Sequence, residues 1–264
     1  MRYENKVVII TGGSKGIGEG CVRSFAGAGA KIVFCARGEA EGQALLRDFE
    51  NQSRQVSFIP CDVRNLKQLK SVVDETLKIH GRLDCLINNA GWHPPHQSID
   101  DFSVDDFRGL FELNVVSMFA ACKFALPSVR QTRGNIINLS SLVGTMGQRL
   151  STTYVATKGA ITAFTKALAI DEAANGVRVN SVSPGNIYTP LWQEAIDAAT
   201  DPEGCRMEGE AAQWLGRMGS IEEVGNLCLY IAAEATFSTG VDYIISGGAE
   251  LGYGRKSNSQ TDLD

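Results

Sequence analysis

Histidines, basic residues and paired cysteine motifs are scarce in this 264-residue sequence, and each scarcity excludes a class of function. The three histidines, His80, His93 and His96, lack a plausible set of partner ligands, so we predict no metal site. The net charge of -5 argues against a nucleic-acid partner, because such a partner selects a basic surface.

Long apolar runs and an apolar N-terminal segment are also missing. We find no run that we expect to span a bilayer, and residues 1–6 lead directly into a predicted strand. Seven cysteines occur without a Cys-x-x-Cys pair, which is typical of buried, reduced thiols. We therefore expect a cytoplasmic protein without a membrane partner.

What is present is an alternation of short apolar runs with segments of helical periodicity. It predicts right-handed crossovers and a Rossmann-type, doubly wound parallel α/β sheet of about seven strands, with helices on both faces. Because neither a linker nor a repeat interrupts it, we predict a single domain over residues 1–264, with a disordered polar tail at 257–264. The clearest predicted strands are 6–11, 31–36, 56–61, 84–88, 134–140, 177–182 and 243–246, and the clearest helices are 39–51 and 66–80.

A glycine-rich segment follows the first predicted strand and opens a predicted helix. Glycines there permit a tight turn and close approach of the backbone to a pyrophosphate. The spacing Gly-x-x-x-Gly-x-Gly differs from the commoner fingerprint, and such a loop can also be a simple turn. Its place between strand and helix favours nucleotide binding. We predict that the cofactor contacts Gly12, Ser14, Lys15, Gly16, Ile17 and Gly18.

The end of the second predicted strand bears on the choice of cofactor. A dinucleotide fold usually has a carboxylate there for the adenosine ribose, but this chain has Ala36 followed by Arg37. Arg37 and Lys15 suit a 2′-phosphate, although both also fit solvated surface cations. We therefore favour NADP(H).

Two later segments extend the predicted cofactor site. Asp62 and Val63 follow the third of the strands above, where a carboxylate can accept the adenine amino group. Asn89, Ala90 and Gly91 follow the next strand and supply an amide and small residues beside the cofactor.

Tyr154 and Lys158 are four residues apart in a predicted helix, so their side chains share one face. A neighbouring ammonium favours the phenolate and should lower the pKa of Tyr154, which suits proton exchange with an alcohol or ketone. Ser141 follows a predicted strand and reaches the same edge of the sheet. Taken alone, a Tyr-x-x-x-Lys pair is often an exposed helix contact.

The combined pattern resembles the short-chain dehydrogenase/reductase family over nearly the whole chain. The matching motifs are Thr-Gly-x-x-x-Gly-x-Gly, Asn-Asn-Ala-Gly, Asn114, Ser141, Tyr154-x-x-x-Lys158 and Ser183-Pro184-Gly185. The resemblance implies an oxidoreductase in which Tyr154 is the general acid/base and Lys158 lowers its pKa and holds the nicotinamide ribose. It further implies that Ser141 binds the substrate oxygen and that Asn114 anchors a water in a proton relay.

The resemblance also implies further contacts and an assembly. Pro184, Gly185, Ile187 and Thr189 should line the nicotinamide pocket, and a homotetramer should form through the helices around Asn114 and Tyr154. Longer segments such as Trp92-His93-Pro94-Pro95 resemble family members that act on a steroid 17β-hydroxyl or on L-fucose. Those members use NAD(H) and carry an acidic residue at the position of Ala36, so NAD(H) stays open as the alternative.

The substrate is expected to meet a lid over residues 187–215 and a ring formed by His93, Gln148 and Trp192. Trp192 fits lid packing equally well, and His93 fits an ordinary loop histidine. The expected substrate is a secondary alcohol or ketone, either a steroid 17β-hydroxyl or a sugar hydroxyl such as that of L-fucose. Alternatives are an NADPH-dependent carbonyl or 3-ketoacyl reductase and, from another class, a non-catalytic cofactor-binding sensor.

Overall fold

The computed structural model describes residues 2–50 and 54–252. Within these ranges seven strands form one parallel sheet in the order β3-β2-β1-β4-β5-β6-β7. The Rossmann-type α/β prediction is therefore confirmed. The strands are β1 (Val7–Thr11), β2 (Lys31–Ala36), β3 (Gln55–Pro60), β4 (Cys85–Asn88), β5 (Asn135–Leu139), β6 (Arg178–Pro184) and β7 (Asp242–Ile245).

Ten α-helices connect and extend these strands in the described ranges. They are α1 (Gly16–Gly27), α2 (Glu39–Glu50), α3 (Leu66–His80), α4 (Val104–Phe111), α5 (Ser117–Thr132), α6 (Val143–Met146), α7 (Thr152–Glu172), α8 (Pro190–Asp197), α9 (Pro202–Ala211) and α10 (Ile221–Ala233). The predicted ranges 31–36 and 66–80 agree with β2 and α3 at both ends. Asn51, predicted to end α2, and the predicted disordered tail 257–264 lie outside the described residues.

Two apolar cores cover the two faces of the sheet, because successive side chains of a strand point to opposite faces. Val8 and Ile10 of β1 belong to one core, together with residues of α1, α2 and α10. Val7 and Ile9 belong to the other, together with residues of α3, α5 and α7. Burial on both faces explains why the strands are continuous apolar runs rather than alternating ones.

The order of the strands reverses between β1 and β4, and this position sets the location of the cleft. β1 continues outward to β2 and β3, whereas β4 continues the other way to β5, β6 and β7. In an open parallel sheet, a ligand binds beyond the carboxyl ends of the strands at such a switch point. The glycine-rich loop after β1 and the Asn-Asn-Ala-Gly segment after β4 meet there.

One long helical stretch, Val104–Thr132, joins α4, a π-helical turn at Glu112–Val116 and α5. By length and composition alone, its 29 residues could cross a membrane, so our expectation that no run has this length is wrong. Of its apolar window, 56% is buried inside the protein. The apolar residues are thus largely accounted for by packing in the core.

Candidate active site

Ser141 and Tyr154 come together at the carboxyl end of β5. Ser141 lies just beyond the last residue of that strand, and Tyr154 lies in the first turn of α7. Ser141 lies near enough to Tyr154 for its hydroxyl to oppose the rise in the pKa of the phenol. The pairing expected between a serine at the sheet edge and the helix tyrosine is thus present in the structure.

The pKa of Tyr154 differs from the expectation. Burial raises it to about 12, and the neighbouring Ser141 hydroxyl only partly opposes that effect. The predicted lowering by Lys158 is therefore wrong for the protein without ligand. The Lys158 Nζ lies 5.5 Å from the centre of the Tyr154 ring and donates to the carbonyl oxygen of Leu139 at 2.9 Å. Desolvation therefore changes the pKa of Tyr154 more than the charge of Lys158 does.

Lys158 is itself deeply buried, with 6% of its surface exposed. Removal of the ammonium from water lowers its pKa to about 8. Its hydrogen bond to Leu139 uses a backbone carbonyl, which any residue at that position would supply. The sequence therefore contains no pattern that predicts this contact.

Asn114 is buried in the π-helical turn and holds the loop that follows β4. Its Oδ1 accepts from the backbone N–H of Trp92 at 2.9 Å, and its Nδ2 donates to the Trp92 carbonyl at 3.0 Å. Nδ2 also donates to Thr157 Oγ1 at 3.1 Å. Both N–H groups of the amide are thus used within the protein, and the water relay stays a prediction. π-helical turns are frequent at functional sites, but their i→i+5 bonding leaves no mark in the sequence.

Asn114 and Lys158 also meet at Gly91. A Cβ at Gly91 would lie 3.1 Å from Asn114 Oδ1 and 3.8 Å from Lys158 Nζ. The predicted catalytic residues Asn114, Ser141, Tyr154 and Lys158 therefore belong to one packed group, beside the segment predicted to contact the cofactor.

The glycine-rich loop has the shape that a dinucleotide requires. Gly12 and Gly16 have φ of +64° and +59°, a region that favours glycine. A Cβ at Gly12 would lie 2.9 Å from Ala90 Cα, and one at Gly18 would overlap the Gly12 carbonyl oxygen. Asn89 Nδ2 braces the loop by donating to the carbonyls of Thr11 at 3.1 Å and Gly12 at 2.9 Å. The residues present therefore fit the pyrophosphate of a nicotinamide dinucleotide at the N-terminus of α1.

The loops after β2 and β3 form the adenosine end of the cleft. Arg37 is exposed just beyond β2, Val63 is buried, and Asp62 is half-buried. The Asp62 carboxylate is bound by Arg64, which the sequence reasoning missed, and Arg64 and Arg37 hold its pKa below the usual range. Lys15 is exposed on the glycine-rich loop.

The segment after β6 connects the nicotinamide end to the glycine-rich loop. The Pro184 carbonyl accepts from the backbone N–H of Leu142 at 2.9 Å, and Gly185 N–H donates to the Ile245 carbonyl at 2.9 Å. Ile187 is buried and pairs with Gly219. Thr189 caps α8, and its Cγ2 lies 3.5 Å from the Cβ position of Gly16. These four predicted cofactor residues thus line one side of the cleft.

Two of the three predicted substrate residues lie beside Tyr154. The His93 and Tyr154 ring centres are 4.1 Å apart. His93 Nδ1 is 2.5 Å from the Pro94 carbonyl oxygen, and Nε2 is 3.1 Å from Gln148 Oε1. His96, which the sequence reasoning did not include, has its ring 5.4 Å from that of His93. Its position could not be read from spacing, because it depends on the path of an irregular loop.

Trp192 lies elsewhere, in the predicted lid. Residues 187–215 contain α8 and α9, and the Trp192 ring packs against α9. Its Cη2 and Cζ3 atoms are each 3.0 Å from the Cβ position of Gly209. This contact favours lid packing over direct substrate contact for Trp192.

Comparison with known proteins agrees with this geometry. A family model described as short chain dehydrogenase matches residues 6–200. The chain is 52% identical to the L-fucose dehydrogenase of Mus musculus over 98% of this chain and 94% of the relative. It is also 52% identical to that of Rattus norvegicus over 98% and 95%, respectively. The solved structure of Thermoplasma acidophilum aldohexose dehydrogenase in ligand-free form has a TM-score of 0.86 and 29% identity, over 95% and 96% of the two chains.

Proposed function

The chain belongs to the short-chain dehydrogenase family, and on that premise we propose that it transfers a hydride between a nicotinamide cofactor and a sugar hydroxyl such as that of L-fucose. The observation that carries this proposal is the half-buried Tyr154, which lies beside Ser141 and has its ring centre 5.5 Å from the Lys158 Nζ. A non-catalytic cofactor sensor has no need of that arrangement. When bound, the nicotinamide accepts or donates the hydride, and this is chemistry of the cofactor itself.

Each catalytic residue has a role that follows from its contacts. In reduction the neutral Tyr154 hydroxyl donates its proton to the substrate oxygen, and in oxidation the Tyr154 phenolate accepts the proton of the substrate hydroxyl. Ser141 donates to the substrate oxygen and steadies the charge that develops on it. Lys158 supplies positive charge beside the tyrosine, and Asn114 fixes the loop that closes this side of the cleft.

A polar substrate fits the rim better than a steroid does. The His93 ring lies 4.1 Å from that of Tyr154 and contacts the exposed amide of Gln148, so a polyol that enters here meets polar side chains. A steroid presents a mostly apolar body that would displace water from this polar rim without offering hydrogen bonds in return, which costs affinity. The names of the mouse and rat relatives, and of the aldohexose dehydrogenase, support the same choice.

The experiment that tests this function is a turnover screen, in which the absorbance of the reduced cofactor at 340 nm reports the rate. L-fucose, related aldohexoses, 17β-hydroxysteroids and 3-ketoacyl thioesters are each tried with both cofactors, in the direction that each allows. We expect the highest kcat/KM with a free sugar. A steroid or a ketoacyl thioester as the preferred substrate would overturn the proposal.

For the cofactor we propose a preference for NADP(H) over NAD(H). Ala36 supplies no carboxylate to a ribose hydroxyl, and the exposed Arg37 stands directly after it. Arg37→Ala should weaken NADPH binding by about tenfold, because charge-assisted hydrogen bonds are lost, and should leave NADH binding unchanged. Fluorescence titration measures both constants. Equal affinities for the two cofactors in the unaltered protein would contradict this preference.

We also propose a homotetramer built on the helices that carry the site. Phe119 on α5 is 50% exposed, Ile170 on α7 is 77% exposed, and Phe119 packs edge-on against Phe164 of α7 at 6.1 Å. Light scattering should give four chains per particle, and Phe119→Glu should reduce that number. Ile79→Glu, on an exposed residue of α3, is the control. A monomer in the unaltered protein would refute this assembly.

A reducing, cytoplasmic location is proposed on the cysteines. All seven are free, and all but Cys205 are buried. Such thiols are typical of proteins that do not rely on disulfides. Fractionation of the producing cells tests this, and recovery with secreted proteins would contradict it.

A further inference from the structure

The loops after β2 and β3 are neighbours at the carboxyl edge of the sheet. Ala36 pairs with Pro60, and the Cys61 N–H donates to the Ala36 carbonyl at 2.9 Å. Residues 62–64 therefore emerge beside Arg37, on the wall where a dinucleotide places its adenosine. Glu41, in the first turn of α2, has its carboxylate against Gly38.

Arg64 is held in this wall by a fork of contacts to one carboxylate. Its Nη2 lies 2.6 Å from Asp62 Oδ2, and its Nε lies 3.1 Å and 3.2 Å from the two oxygens. The Arg64 backbone N–H also donates to Asp62 Oδ1 at 3.0 Å. The Arg64 side chain keeps 49% of its surface exposed, so the guanidinium is oriented by Asp62 but still accessible to a ligand.

Two cations, Arg64 and Arg37, thus act on the Asp62 carboxylate. Its pKa is lowered first by the Arg64 hydrogen bond and also by the charge of Arg37. It is also the carboxylate that the sequence predicts to accept the adenine amino group. While Arg64 occupies both oxygens, adenine and guanidinium compete for the same acceptor.

We propose that Arg64 is a specificity-determining residue for the 2′-phosphate, and that it exchanges Asp62 for that phosphate when NADP(H) binds. This inference rests on the proposed NADP(H) preference. The exchange frees the Asp62 oxygens for the adenine amino group, while the guanidinium gains a doubly charged acceptor that it can bind through two N–H groups. NAD(H) has no 2′-phosphate, so with that cofactor Arg64 would lose its contacts with Asp62 without gaining others. The Arg64–Asp62 pair therefore adds to the discrimination between NADP(H) and NAD(H) that Arg37 provides.

The test uses adenosine 2′,5′-bisphosphate and adenosine 5′-monophosphate as probes, because they isolate the adenosine end and require no turnover. Calorimetric dissociation constants are measured for the unaltered chain and for Arg64→Gln, Arg64→Lys and Arg37→Gln. Arg108→Gln is the matched control, since Arg108 is an exposed arginine paired with Asp105 on α4. The melting temperature of each variant confirms that it folds.

We expect Arg64→Gln to weaken the bisphosphate by about tenfold without weakening the monophosphate, since only the former offers the extra charge-assisted contact. Arg64→Lys should recover part of the loss, and Arg108→Gln should change neither constant. Equal weakening of both probes, or no change in either, would overturn the role of Arg64. If the unaltered chain binds both probes equally, the NADP(H) preference itself fails. If only Arg37→Gln discriminates, that preference stands and the Arg64 inference falls.

Discussion

The two ends of the cleft use charge in opposite ways. At the catalytic end, Lys158 is buried and Tyr154 is half-buried, and desolvation shifts the pKa of each in the direction that favours the neutral form. At the adenosine end, Arg37 and Arg64 stay exposed and keep their charges in solvent. The same edge of the sheet thus holds a largely buried catalytic group and an exposed pair of arginines for cofactor recognition.

This difference teaches where each kind of specificity arises. A buried group responds strongly to one added or removed charge, because little solvent screens it, which suits proton transfer. Exposed cations interact more weakly and are screened by salt, but they can shift between partners at little cost. Chemistry at one end and cofactor choice at the other should therefore respond to different perturbations.

The largest effect is expected for Lys158→Met. Loss of the ammonium beside Tyr154 should lower turnover by about 10²- to 10⁴-fold, the usual share of general acid/base catalysis. Lys166→Met, on the exposed face of the same helix, should leave turnover unchanged. Comparable activity in both variants would show that the buried lysine plays no part in the chemistry.

The same substitution should not destabilise the fold at neutral pH. The pKa of Lys158 falls from 10.5 to about 8 on burial, so below pH 8 the folded chain carries a buried charge that costs on the order of 3 kcal/mol. Between about pH 8 and 10.5 the unfolded chain binds a proton that the folded chain does not. Stability of the unaltered protein should therefore rise with pH in that window. Urea unfolding should lack this rise in Lys158→Met.

The second-largest loss of turnover is expected for Ser141→Ala. Loss of one donor to the developing oxyanion costs about 10²- to 10³-fold in kcat. Cofactor affinity should stay the same, since Ser141 acts on the substrate oxygen. Ser140→Ala is an informative neighbour, because Ser140 Oγ donates to the Lys158 carbonyl inside the core and should affect stability more than chemistry.

Added salt should affect cofactor binding, at the adenosine end, far more than turnover, at the catalytic end. Raising the salt concentration from about 0.05 M to about 0.5 M shortens the screening length and should weaken NADPH binding by about that factor. Turnover at saturating cofactor should change less than about twofold, because Lys158 is buried and Tyr154 is half-buried. Parallel losses in both quantities would remove the distinction.

A smaller, spectroscopic effect concerns Tyr154 itself. Burial raises its pKa to about 12, so its phenolate is only a minor species at pH 10. The tyrosinate absorbance at 295 nm, taken as the difference between the unaltered chain and Tyr154→Phe, should stay near zero up to that pH. Half-titration near pH 7 would mean that Lys158 outweighs desolvation.

Sequence reasoning succeeded where a residue type at a given spacing carries the information. The glycines at 12, 16 and 18 and the Tyr154-Lys158 spacing could be read directly, and the alternation of runs predicted the sheet. The contacts it missed involve backbone groups or irregular loops. Lys158 binds the Leu139 carbonyl, and Asn114 binds the Trp92 backbone; both contacts depend on the path of the main chain and not on residue type.

The pKa of Tyr154 was mispredicted for a related reason. Four-residue spacing indicates that Lys158 is near, but it gives no measure of how much water the fold removes. Arg64 was missed because an i, i+2 pair with Asp62 resembles an ordinary surface contact. Only the register of β2 and β3 brings the segment that contains it to the end of β2, which Arg37 follows.

The central claim is that chemistry and cofactor recognition are separate in this cleft and that Tyr154 carries the chemistry. Tyr154→Phe tests it most directly when turnover with L-fucose and the NADPH dissociation constant are measured on the same preparation. We predict that turnover falls by about 10²- to 10⁴-fold while the dissociation constant changes less than about twofold. Turnover close to that of the unaltered protein would contradict the claim.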